Sequence, residues 1–519
     1  MKKTCVSLLV STALTALSAH ATAGLLDGAR QIWTHQHAGT DGYLAEILSF
    51  DAGRNEIWVS GVSGIDILDA RTGALQQRID VSASGSVNSV AIHNGVAAIA
   101  LEHPTQRELP GVVQTYRTAT RALTGQYTVG ALPDMLTFTP DGSRLLVANE
   151  GTPNNTSQSG VKAANSHYGP LTSPTGSVPR SYGNHALDPA GSVSIIHLGT
   201  GTVTTVGNLD AAPRTGGHLR VNTGMNFEPE YIAVNAAGTK AYVTLQEANG
   251  LAVVDLSSGT VDKVVGLGAK DFAVAGQRID PKNDGSIGLV SVHAKGLYMP
   301  DGIATYSRGG QTFLVMANEG DFREDDADRS AASSVDPSLS GTLLSNLRVS
   351  NTDSSASALY AAGARSFSIR DADGQLVYDS GEILDREAIA LGIYDDGRSR
   401  DKGVEPESIE LMEIDGRTLA FVGLERTSKA AVAAFDITDP HNVTFLRMLV
   451  AEGNVSPEGL KGFRLGNAYY LGLSNEVSNT TTLFHLATAA APVPEPGSLA
   501  LVAAGLGVLT AARRRRLGH

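Results

Sequence analysis

The chain has 519 residues, of which 57 are glycine and only 18% are charged, and its formal net charge is −13. This composition favours short strands joined by turns over long helices. The negative charge excludes nucleic acid as an expected partner, because a phosphate backbone selects basic surfaces, and it suits cations or basic partners better.

Residues 1–23 predict a secretory signal peptide. Two lysines precede an apolar run from Val6 to Leu17, and Ala21-Thr22-Ala23 is a small-residue cleavage site. The single cysteine, Cys5, lies inside this segment. The mature protein is therefore expected to contain no disulfide and no cysteine metal ligand.

A short motif then recurs along the chain: a proline, an acidic residue, a variable residue and an apolar residue. The clearest copies begin at Pro133, Pro229, Pro300, Pro406 and Pro457, and weaker copies begin at Ala45 and Val87. After each copy come two short apolar strands joined by a turn, then a third strand, and in most copies a fourth. Four strands repeated seven times predict an all-β fold, a seven-bladed β-propeller with four-stranded blades, over residues 24–488.

The last copy has only three strands, whereas the strand-like segment Ala29 to Gln36 precedes the first copy. We expect this N-terminal strand to complete the last blade, because an open ring would leave a sheet edge unpaired. His35 lies on this segment and His37 directly follows it, and we expect a hydrogen-bonded pair on an outer strand rather than metal ligands. Polar or acidic insertions separate some copies, with short helices predicted at Leu339–Leu347 and Asp385–Leu391. The insertions lie near residues 152–189, 269–295, 321–365 and 383–402.

Residues 489–519 contain a turn-forming motif, an apolar run from Leu499 to Ala512 and an arginine cluster. The motif and the cluster are Val493, Pro494, Glu495, Pro496, Arg513, Arg514, Arg515 and Arg516. One interpretation is a plain membrane anchor, whose short transmembrane helix is extended by snorkelling arginines. The three parts in this order closely resemble the PEP-CTERM sorting signal. That resemblance implies an exosortase-type sorting enzyme as a partner, a transient membrane anchor before processing, and then a cell-surface or extracellular location of the Gram-negative type.

Three long blocks carry a second resemblance: Gly130–Gly151, Glu228–Leu256 and Gly296–Glu324. They are similar to the choice-of-anchor I family of exported bacterial proteins, and weaker matches extend the resemblance over most of Gly42 to Leu486. The resemblance implies a propeller-like fold and fits a sorting signal at the C-terminus. Some members carry alkaline phosphatase labels, but no catalytic residues are carried over to this chain.

The repeat places one acid or amide at the same position in every blade, from Glu46 and Asn88 onward. A second set of acids ends the following strand, in two copies of the sequence Asn-Glu-Gly. The two strands of a hairpin place these positions side by side, so we expect both sets at one mouth of the propeller channel. The primary candidates for metal ligands are Asp134, Glu150, Glu230, Asp301, Glu319, Glu407 and Glu458.

Clustered carboxylates must take up protons, pair with basic groups or bind a cation. Oxygen ligands without cysteine suit Ca²⁺ or Mg²⁺, and we favour Ca²⁺. The alternative is that each acid accepts backbone hydrogen bonds at a blade corner. Glu46, from the first copy of the repeat, is a secondary candidate. Asp280 and Asp284 are further candidates in a turn that lacks the EF-hand spacing. Asp321 is the last secondary candidate, and it begins an acidic run that is either a solvated loop or a lid.

The sequence lacks a phosphate-binding P-loop, a Gly-x-Ser-x-Gly elbow and a His-Glu-x-x-His helix. Two hypotheses remain, a surface module that binds an unknown extracellular or surface ligand, and a metal-dependent phosphoesterase, alkaline phosphatase-like or phytase-like. In the second, Ca²⁺ held by the carboxylates would bind phosphate and activate water. Near the predicted channel, Arg323 and Arg426 are the only candidates for binding a phosphate.

Overall fold

The computed structural model describes residues 24–38, 44–153, 182–183, 187–323 and 327–488. The predicted signal peptide and the C-terminal sorting segment lie outside these ranges, as does most of the insertion near residues 152–189. The described residues form 34 strands, two short α-helices and three 3-10 helices. Among the described residues, no helix has both the length and the apolar character needed to cross a membrane.

The strands are short, and most begin or end at a turn. The first half comprises β1 (Arg30–Gln36), β2 (Leu48–Asp51), β3 (Glu56–Gly61), β4 (Gly64–Asp69), β5 (Leu75–Asp80), β6 (Val87–His93), β7 (Val96–Leu101), β8 (Pro110–Arg117), β9 (Ala122–Ala131), β10 (Pro133–Phe138), β11 (Arg144–Asn149), β12 (Ser192–His197), β13 (Thr202–Val206), β14 (Arg214–Gly217), β15 (Ile232–Val234), β16 (Lys240–Leu245) and β17 (Gly250–Asp255). The second half comprises β18 (Thr260–Leu267), β19 (Ala269–Asp271), β20 (Lys295–Leu297), β21 (Ile303–Arg308), β22 (Gln311–Asn318), β23 (Arg329–Ala331), β24 (Arg348–Ser350), β25 (Tyr360–Ala361), β26 (Ser366–Asp371), β27 (Leu376–Asp379), β28 (Pro406–Ile414), β29 (Arg417–Leu424), β30 (Ala430–Asp436), β31 (Thr444–Ala451), β32 (Pro457–Leu465), β33 (Ala468–Asn475) and β34 (Thr480–Thr488).

Seven of the sheets have four or five strands, one for each copy of the sequence motif. Their orders are β2-β3-β4-β5, β6-β7-β8-β9, β10-β11-β12-β13, β15-β16-β17-β18-β14, β21-β22-β26-β27, β28-β29-β30-β31 and β32-β33-β34-β1. The first strands β2, β6, β10, β15, β21, β28 and β32 pack each against the next, and β32 packs against β2. The chain therefore forms an all-β propeller, as its sequence predicts.

Burial explains why the second and third strands of each sheet are apolar runs. Leu145 to Ala148 in β11 and Ile57 to Val59 in β3 are fully buried, because neighbouring sheets cover both of their faces. The outermost strands, such as β5, are largely exposed. The core is therefore a set of apolar layers between adjacent sheets, and the ring axis is left to polar side chains.

The N-terminal strand closes the ring, as predicted. β1 pairs antiparallel with β34, with Arg30 opposite His485. His37, just after β1, contacts Asp66 Oδ2 at 2.7 Å through Nδ1 and Thr481 Oγ1 at 2.8 Å through Nε2. His37 therefore ties the first sheet to the last.

Residues 269–297 and 327–361 pack together, and residues 383–404 join them through hydrogen bonds such as Arg348 N to Arg400 O at 2.9 Å, while Leu384 and Ala388 pack into the propeller core. We call these three segments the cap. It contains the sheet β19-β20-β25 and the hairpin β23-β24, and its own apolar core includes Phe272, Ile279 and Leu347. Residues 269–295 were predicted to be loop-like, but they also contribute strands and apolar residues to a core that two insertions share. The helical elements are α1 (Ala332–Val335), α2 (Ile383–Ala390) and 3-10 turns at Leu209–Ala211, Pro337–Leu339 and Asp396–Arg398.

The two helix predictions had different outcomes. The helix expected at Asp385–Leu391 corresponds to α2. The helix expected at Leu339–Leu347 was wrong, since a 3-10 turn ends at Leu339 and further turns follow. Gly341 interrupts this stretch with a φ of 76°, a left-handed conformation that an α-helix cannot contain.

Candidate cation site in the central cavity

A cavity of about 210 Å³ lies on the ring axis, and residues from all seven sheets or their connections line it. Among the described residues, its wall contains twelve carboxylate side chains and three basic ones. The carboxylates are Glu46, Asp134, Glu150, Glu228, Glu230, Glu247, Asp301, Glu319, Asp321, Glu407, Glu425 and Glu458. The basic residues are Arg107, Lys402 and Arg426. The cavity therefore brings together two sets of acids: those at the start of the first strand of a sheet and those at the end of its second strand.

A strained backbone residue precedes the proline in several copies of the motif. Leu132, Met299, Glu405 and Ser456 all have φ between 44° and 60°, a left-handed conformation that costs roughly 1–3 kcal/mol in a residue other than glycine. In three of these copies the carbonyl oxygen of this residue accepts a hydrogen bond from the backbone N–H of the acid at the end of the neighbouring strand, whereas Met299 O accepts from Gly320 N at 3.0 Å. The pairs are Leu132 O with Glu150 N at 2.9 Å, Glu405 O with Glu425 N at 2.9 Å and Ser456 O with Glu476 N at 2.8 Å. This bond holds the two acidic positions side by side.

In the two Asn-Glu-Gly sequences the three residues have different roles. Asn149 is buried and its Nδ2 donates to Ser192 Oγ at 3.1 Å and Ser194 Oγ at 3.0 Å. Glu150 lines the cavity, and Gly151 leaves the strand with a φ of 80°. The second copy repeats this arrangement with Asn318 against Ser366 and Ser368, Glu319 in the cavity and Gly320 at a φ of 88°. The asparagine therefore fixes the blade, while the glutamate faces the ring axis.

Two triads of carboxylates form inside the cavity, each contributed by two neighbouring sheets. In each triad the three residues offer one oxygen apiece, and these oxygens all lie within 4.8 Å of one another. The first triad is Asp134, Glu150 and Glu230, and the second triad is Asp301, Glu319 and Glu407. Further groups of the same kind are Glu319 with Glu405 and Glu425, and Glu425 with Glu458 and Glu476. The spacing allows one ion to contact three carboxylates at once.

Burial and mutual repulsion raise the pKa of the acids around the cavity. Burial, followed by the charge of Asp301, raises the pKa of Asp134 to about 7. Burial also raises the pKa of Glu319 to about 8, although Lys402 opposes the shift. Glu46, Glu230, Glu247, Glu407 and Glu458 have pKa values well above the usual range for the same two reasons, burial first and neighbouring carboxylates second. Both effects favour the binding of protons or cations by these acids.

Lys402 reaches into the cavity from the cap. Its Nζ forms ion pairs with Glu319 Oε1 and, at 3.1 Å, with Glu405 Oε2. Burial alone would lower the pKa of Lys402, but Asp321, Glu319 and Glu405 raise it well above its usual value. Burial raises the pKa of Glu405, yet Lys402 and two arginines bring it down to about 2. The surrounding carboxylates therefore stabilise the charged form of this lysine.

The structure brings most of the predicted ligands together and separates two of them. All seven primary candidates line the cavity, together with Glu46 and Asp321. Asp280 instead accepts a hydrogen bond from Ser399 Oγ at 3.1 Å, and Asp284 is exposed and paired with Lys282. The turn that contains both therefore lies within the cap and outside the cavity wall.

Four residues at or beside the cavity were not predicted from the sequence, namely Arg107, Glu228, Lys402 and Glu405. Glu228 stands directly before Pro229, so the repeat itself held a signal for it. Lys402 precedes the copy at Pro406 by four residues but belongs to an insertion, where the repeat carries no information. Arg323, expected near the channel, lies with its guanidinium 4.2 Å from the ring centre of Tyr182, which lines the cavity.

Comparison with known proteins places this site in a family context. A choice-of-anchor I domain matches residues 46–440, and a PEP-CTERM protein-sorting motif matches residues 492–516. The sorting motif implies recognition by an exosortase-type enzyme, and it supports export with C-terminal membrane anchoring and processing in Gram-negative bacteria. No curated protein sequence matches the chain.

Solved structures similar to this chain include Kuenenia stuttgartiensis hydrazine synthase, at 10% identity, with 87% of this chain and 98% of that chain covered and a TM-score of 0.48. A chain from the crystal structure of a mitotic checkpoint complex is similar at 9% identity, with 89% and 95% covered and a TM-score of 0.47.

Proposed function

The chain belongs to the choice-of-anchor I family, and from this premise we propose that it is a cell-surface binding module whose central cavity holds Ca²⁺. The proposed ligands are the first triad, Asp134, Glu150 and Glu230, and the second triad, Asp301, Glu319 and Glu407. Its sorting signal supports export, after which the propeller faces an environment in which Ca²⁺ is available. The cation would complete the surface that meets an extracellular partner.

One observation carries this proposal, the excess of carboxylates over basic groups in a single small cavity. Of the residues that the structure describes, twelve carboxylates and three basic side chains line a cavity of about 210 Å³. Buried carboxylates without enough counter-charge cost several kcal/mol each unless a proton or a cation compensates them. Because the ligands are all oxygens and the site offers more than two carboxylates per ion, Ca²⁺ fits better than Mg²⁺, which prefers to retain water.

Two buried carboxylate oxygens that accept no hydrogen bond within the described residues support the same assignment. Glu46 is only 7% exposed and Glu407 only 8% exposed, and both line the cavity. In each, Oε2 is buried and accepts no hydrogen bond within the described residues. A backbone-capping role, the alternative considered for these acids, does not account for such oxygens, since a capping carboxylate would accept backbone N–H groups.

The direct test is calcium binding by the purified protein, measured by isothermal titration calorimetry after exhaustive chelation. Wild type is expected to bind Ca²⁺ with release of protons, because ligands whose pKa is near 7 or 8 must deprotonate. Absence of any heat, and of any change in melting temperature on adding Ca²⁺, would overturn the proposal.

A second candidate function is a metal-dependent phosphoesterase, and one observation favours it. Arg107, Lys402 and Arg426 all line the cavity, so groups able to hold a phosphate are more numerous than the sequence indicated. In that case Ca²⁺ would bind the phosphate and activate water, and the three basic groups would bind its remaining oxygens. Hydrolysis of p-nitrophenyl phosphate, measured with Ca²⁺ and with chelator for wild type, Asp301→Asn and Glu407→Gln, separates the two. Turnover that needs Ca²⁺ and is lost in both variants would establish an enzyme, while Ca²⁺ binding without turnover would leave a binding module.

A further inference from the structure

We infer that, while the C-terminal segment anchors the chain in a membrane, the propeller face opposite the cavity mouth lies against anionic lipid. We call it the lower face; it consists of the turns that join the first strand of each sheet to the second and the third strand to the fourth. The cavity mouth then opens away from the membrane. This inference goes beyond the proposed function and does not depend on calcium binding.

The last strand of the propeller ends at the lower face. Asn475, at the end of β33, lies opposite Pro457, which precedes the cavity residue Glu458. Thr488, at the end of β34, lies opposite Ala468, the first residue of β33. β34 has nine residues, which at roughly 3.3 Å per residue place its two ends about 26 Å apart. The chain therefore leaves the propeller far from the cavity mouth.

The connection from the propeller to the predicted membrane anchor is short. β34 ends at Thr488, and the apolar run of the sorting signal begins at Leu499. A connection of about eleven residues reaches at most ~38 Å. With the cavity mouth against the membrane, it would first have to run back over roughly 26 Å of sheet, and then over the cap, whose segments all join strands on the mouth side. The length of the connection therefore favours a lower face next to the membrane.

The charge of the lower face differs between its two halves. Nearest the end of β34 lie the sheets β32-β33-β34-β1, β2-β3-β4-β5 and β6-β7-β8-β9, which follow one another around the ring. Among the described residues, their lower turns and adjoining strand ends expose one acid, Asp27, and the arginines Arg30, Arg54, Arg71, Arg117 and Arg464. The corresponding segments of the other four sheets expose Asp141, Asp373, Glu413, Asp415 and Asp439 beside Arg308. Although the chain is acidic as a whole, the half of the lower face nearest the anchor is basic, and we call this half the tail-side patch.

Exposed apolar side chains accompany the arginines of the tail-side patch. Ile32, Leu75 and Leu123 are between 40% and 53% exposed. Leu75 begins β5 and Leu123 is the second residue of β9, so both directly follow lower turns, and Ile32 lies near the start of β1. In the described part of the other four sheets, Leu376 is the comparable residue beside a lower turn. Guanidinium groups bind phosphate, and apolar side chains between them can enter the headgroup region, so the tail-side patch fits an anionic lipid surface.

The first test measures which face lies nearer to the membrane. The full-length chain, in a Cys5→Ser background, receives one dye-labelled cysteine, at Ala119 in a lower turn or at Val477 on the mouth side, both of which are exposed. It is reconstituted in vesicles of phosphatidylcholine and phosphatidylglycerol that carry an acceptor dye on a lipid headgroup. Energy transfer should be higher from Ala119→Cys than from Val477→Cys. Equal transfer, or more transfer from Val477→Cys, would overturn the inference.

The second test measures the contribution of charge. Transfer from Ala119→Cys should be higher with phosphatidylglycerol than with phosphatidylcholine alone. Arg54 pairs with Glu56 at 3.3 Å, so the test reverses the charges of Arg71 and Arg117 instead. The double variant Arg71→Glu with Arg117→Glu should lose the increase, whereas Arg308→Glu, a reversal in the other half of the lower face, should keep it. A double variant that keeps the whole increase would contradict the contact with anionic lipid.

Salt provides the same test without a charge variant. Dissolved ions screen exposed charges, so a high salt concentration should abolish the increase that phosphatidylglycerol causes. An increase that survives high salt would likewise count against the contact. Each measurement uses a chelator, so that calcium cannot bridge the protein to lipid phosphates. Failure of these tests leaves the proposed function standing, and failure of calcium binding leaves this inference standing.

Discussion

Glu319 and Lys402 form an ion pair at the wall of the central cavity although 83 residues separate them in the chain. The glutamate ends the second strand of its sheet, whereas the lysine belongs to the cap. The pair therefore connects the repeated framework of the propeller to its irregular insertions. It also shows that the cavity is partly neutralised from outside the repeat.

Glu230→Gln should weaken Ca²⁺ binding by about tenfold or more, because it removes one of three charged ligands of the first triad and keeps its volume. Titration calorimetry measures the change. The control is Glu452→Gln, an exposed residue that pairs with Lys429 at 2.7 Å and is not among the residues lining the cavity. Equal affinity for Glu230→Gln and wild type would remove the first triad from the account.

The stabilisation by Ca²⁺ should grow with pH. The pKa of Asp134 is raised to about 7 and that of Glu319 to about 8, so between about pH 4 and pH 8 the folded state holds protons that the unfolded state has lost. The stability that these groups contribute is present at low pH and is lost as the pH rises through their folded pKa values. Calcium replaces those protons, so its increase in melting temperature should be larger at pH 8.5 than at pH 5.5. A larger increase at pH 5.5 would contradict this sign.

Arg220→Met should loosen the cap. Arg220 Nη2 pairs with Asp328 at 2.7 Å, its Nε pairs with Asp353 at 2.8 Å, and its Nη1 donates to the carbonyl of Glu247 at 2.7 Å. Removing one partner of a buried charge network costs roughly 3–5 kcal/mol. Hydrogen exchange should therefore accelerate over residues 327–361 more than in the β-sheets.

The control for this change is Arg386→Met, which removes a half-exposed arginine paired with Glu387 on α2. An exposed pair of this kind contributes less than about 1 kcal/mol. If both variants lose the same stability, the Arg220 network does not hold the cap in place.

Asp66→Asn should weaken the closure of the ring. Asp66 is buried and accepts hydrogen bonds from Arg78 Nε at 2.6 Å, and its Oδ2 lies 2.7 Å from His37 Nδ1. Its replacement is expected to cost roughly 3 kcal/mol and to accelerate hydrogen exchange in β1 ahead of the other strands. Asp373→Asn, an exposed residue paired with Lys263, should leave exchange in β1 unchanged.

The propeller fold was predictable because the same short sequence motif occurs at the start of each sheet. Pro133-Asp134 and Pro406-Glu407 mark the starts of β10 and β28, and apolar runs such as Leu145 to Ala148 mark the buried strands that follow. Even the closing strand β1 was predictable, since the last copy is one strand short. Repetition of this kind fixes both the elements and their neighbours.

The cap was not predictable, because nothing in the insertions repeats. Phe272 and Leu347 belong to different insertions but share one apolar core, and only tertiary packing brings them together. Lys402 and Arg107 also line the cavity, and they were not predicted because they lie outside the repeated motif. The repeat thus predicted which acids surround the ring axis, while the basic groups near them come from connections between strands.

The central claim is that the cavity carboxylates hold Ca²⁺, and its most direct test is the calcium content of the purified protein. After equilibration with Ca²⁺ and removal of the unbound ion, elemental analysis should find at least one Ca²⁺ per wild-type chain. It should find none in a folded variant that combines Glu230→Gln with Glu407→Gln. Wild-type protein that retains no Ca²⁺, or a double variant that retains as much as wild type, would contradict the account.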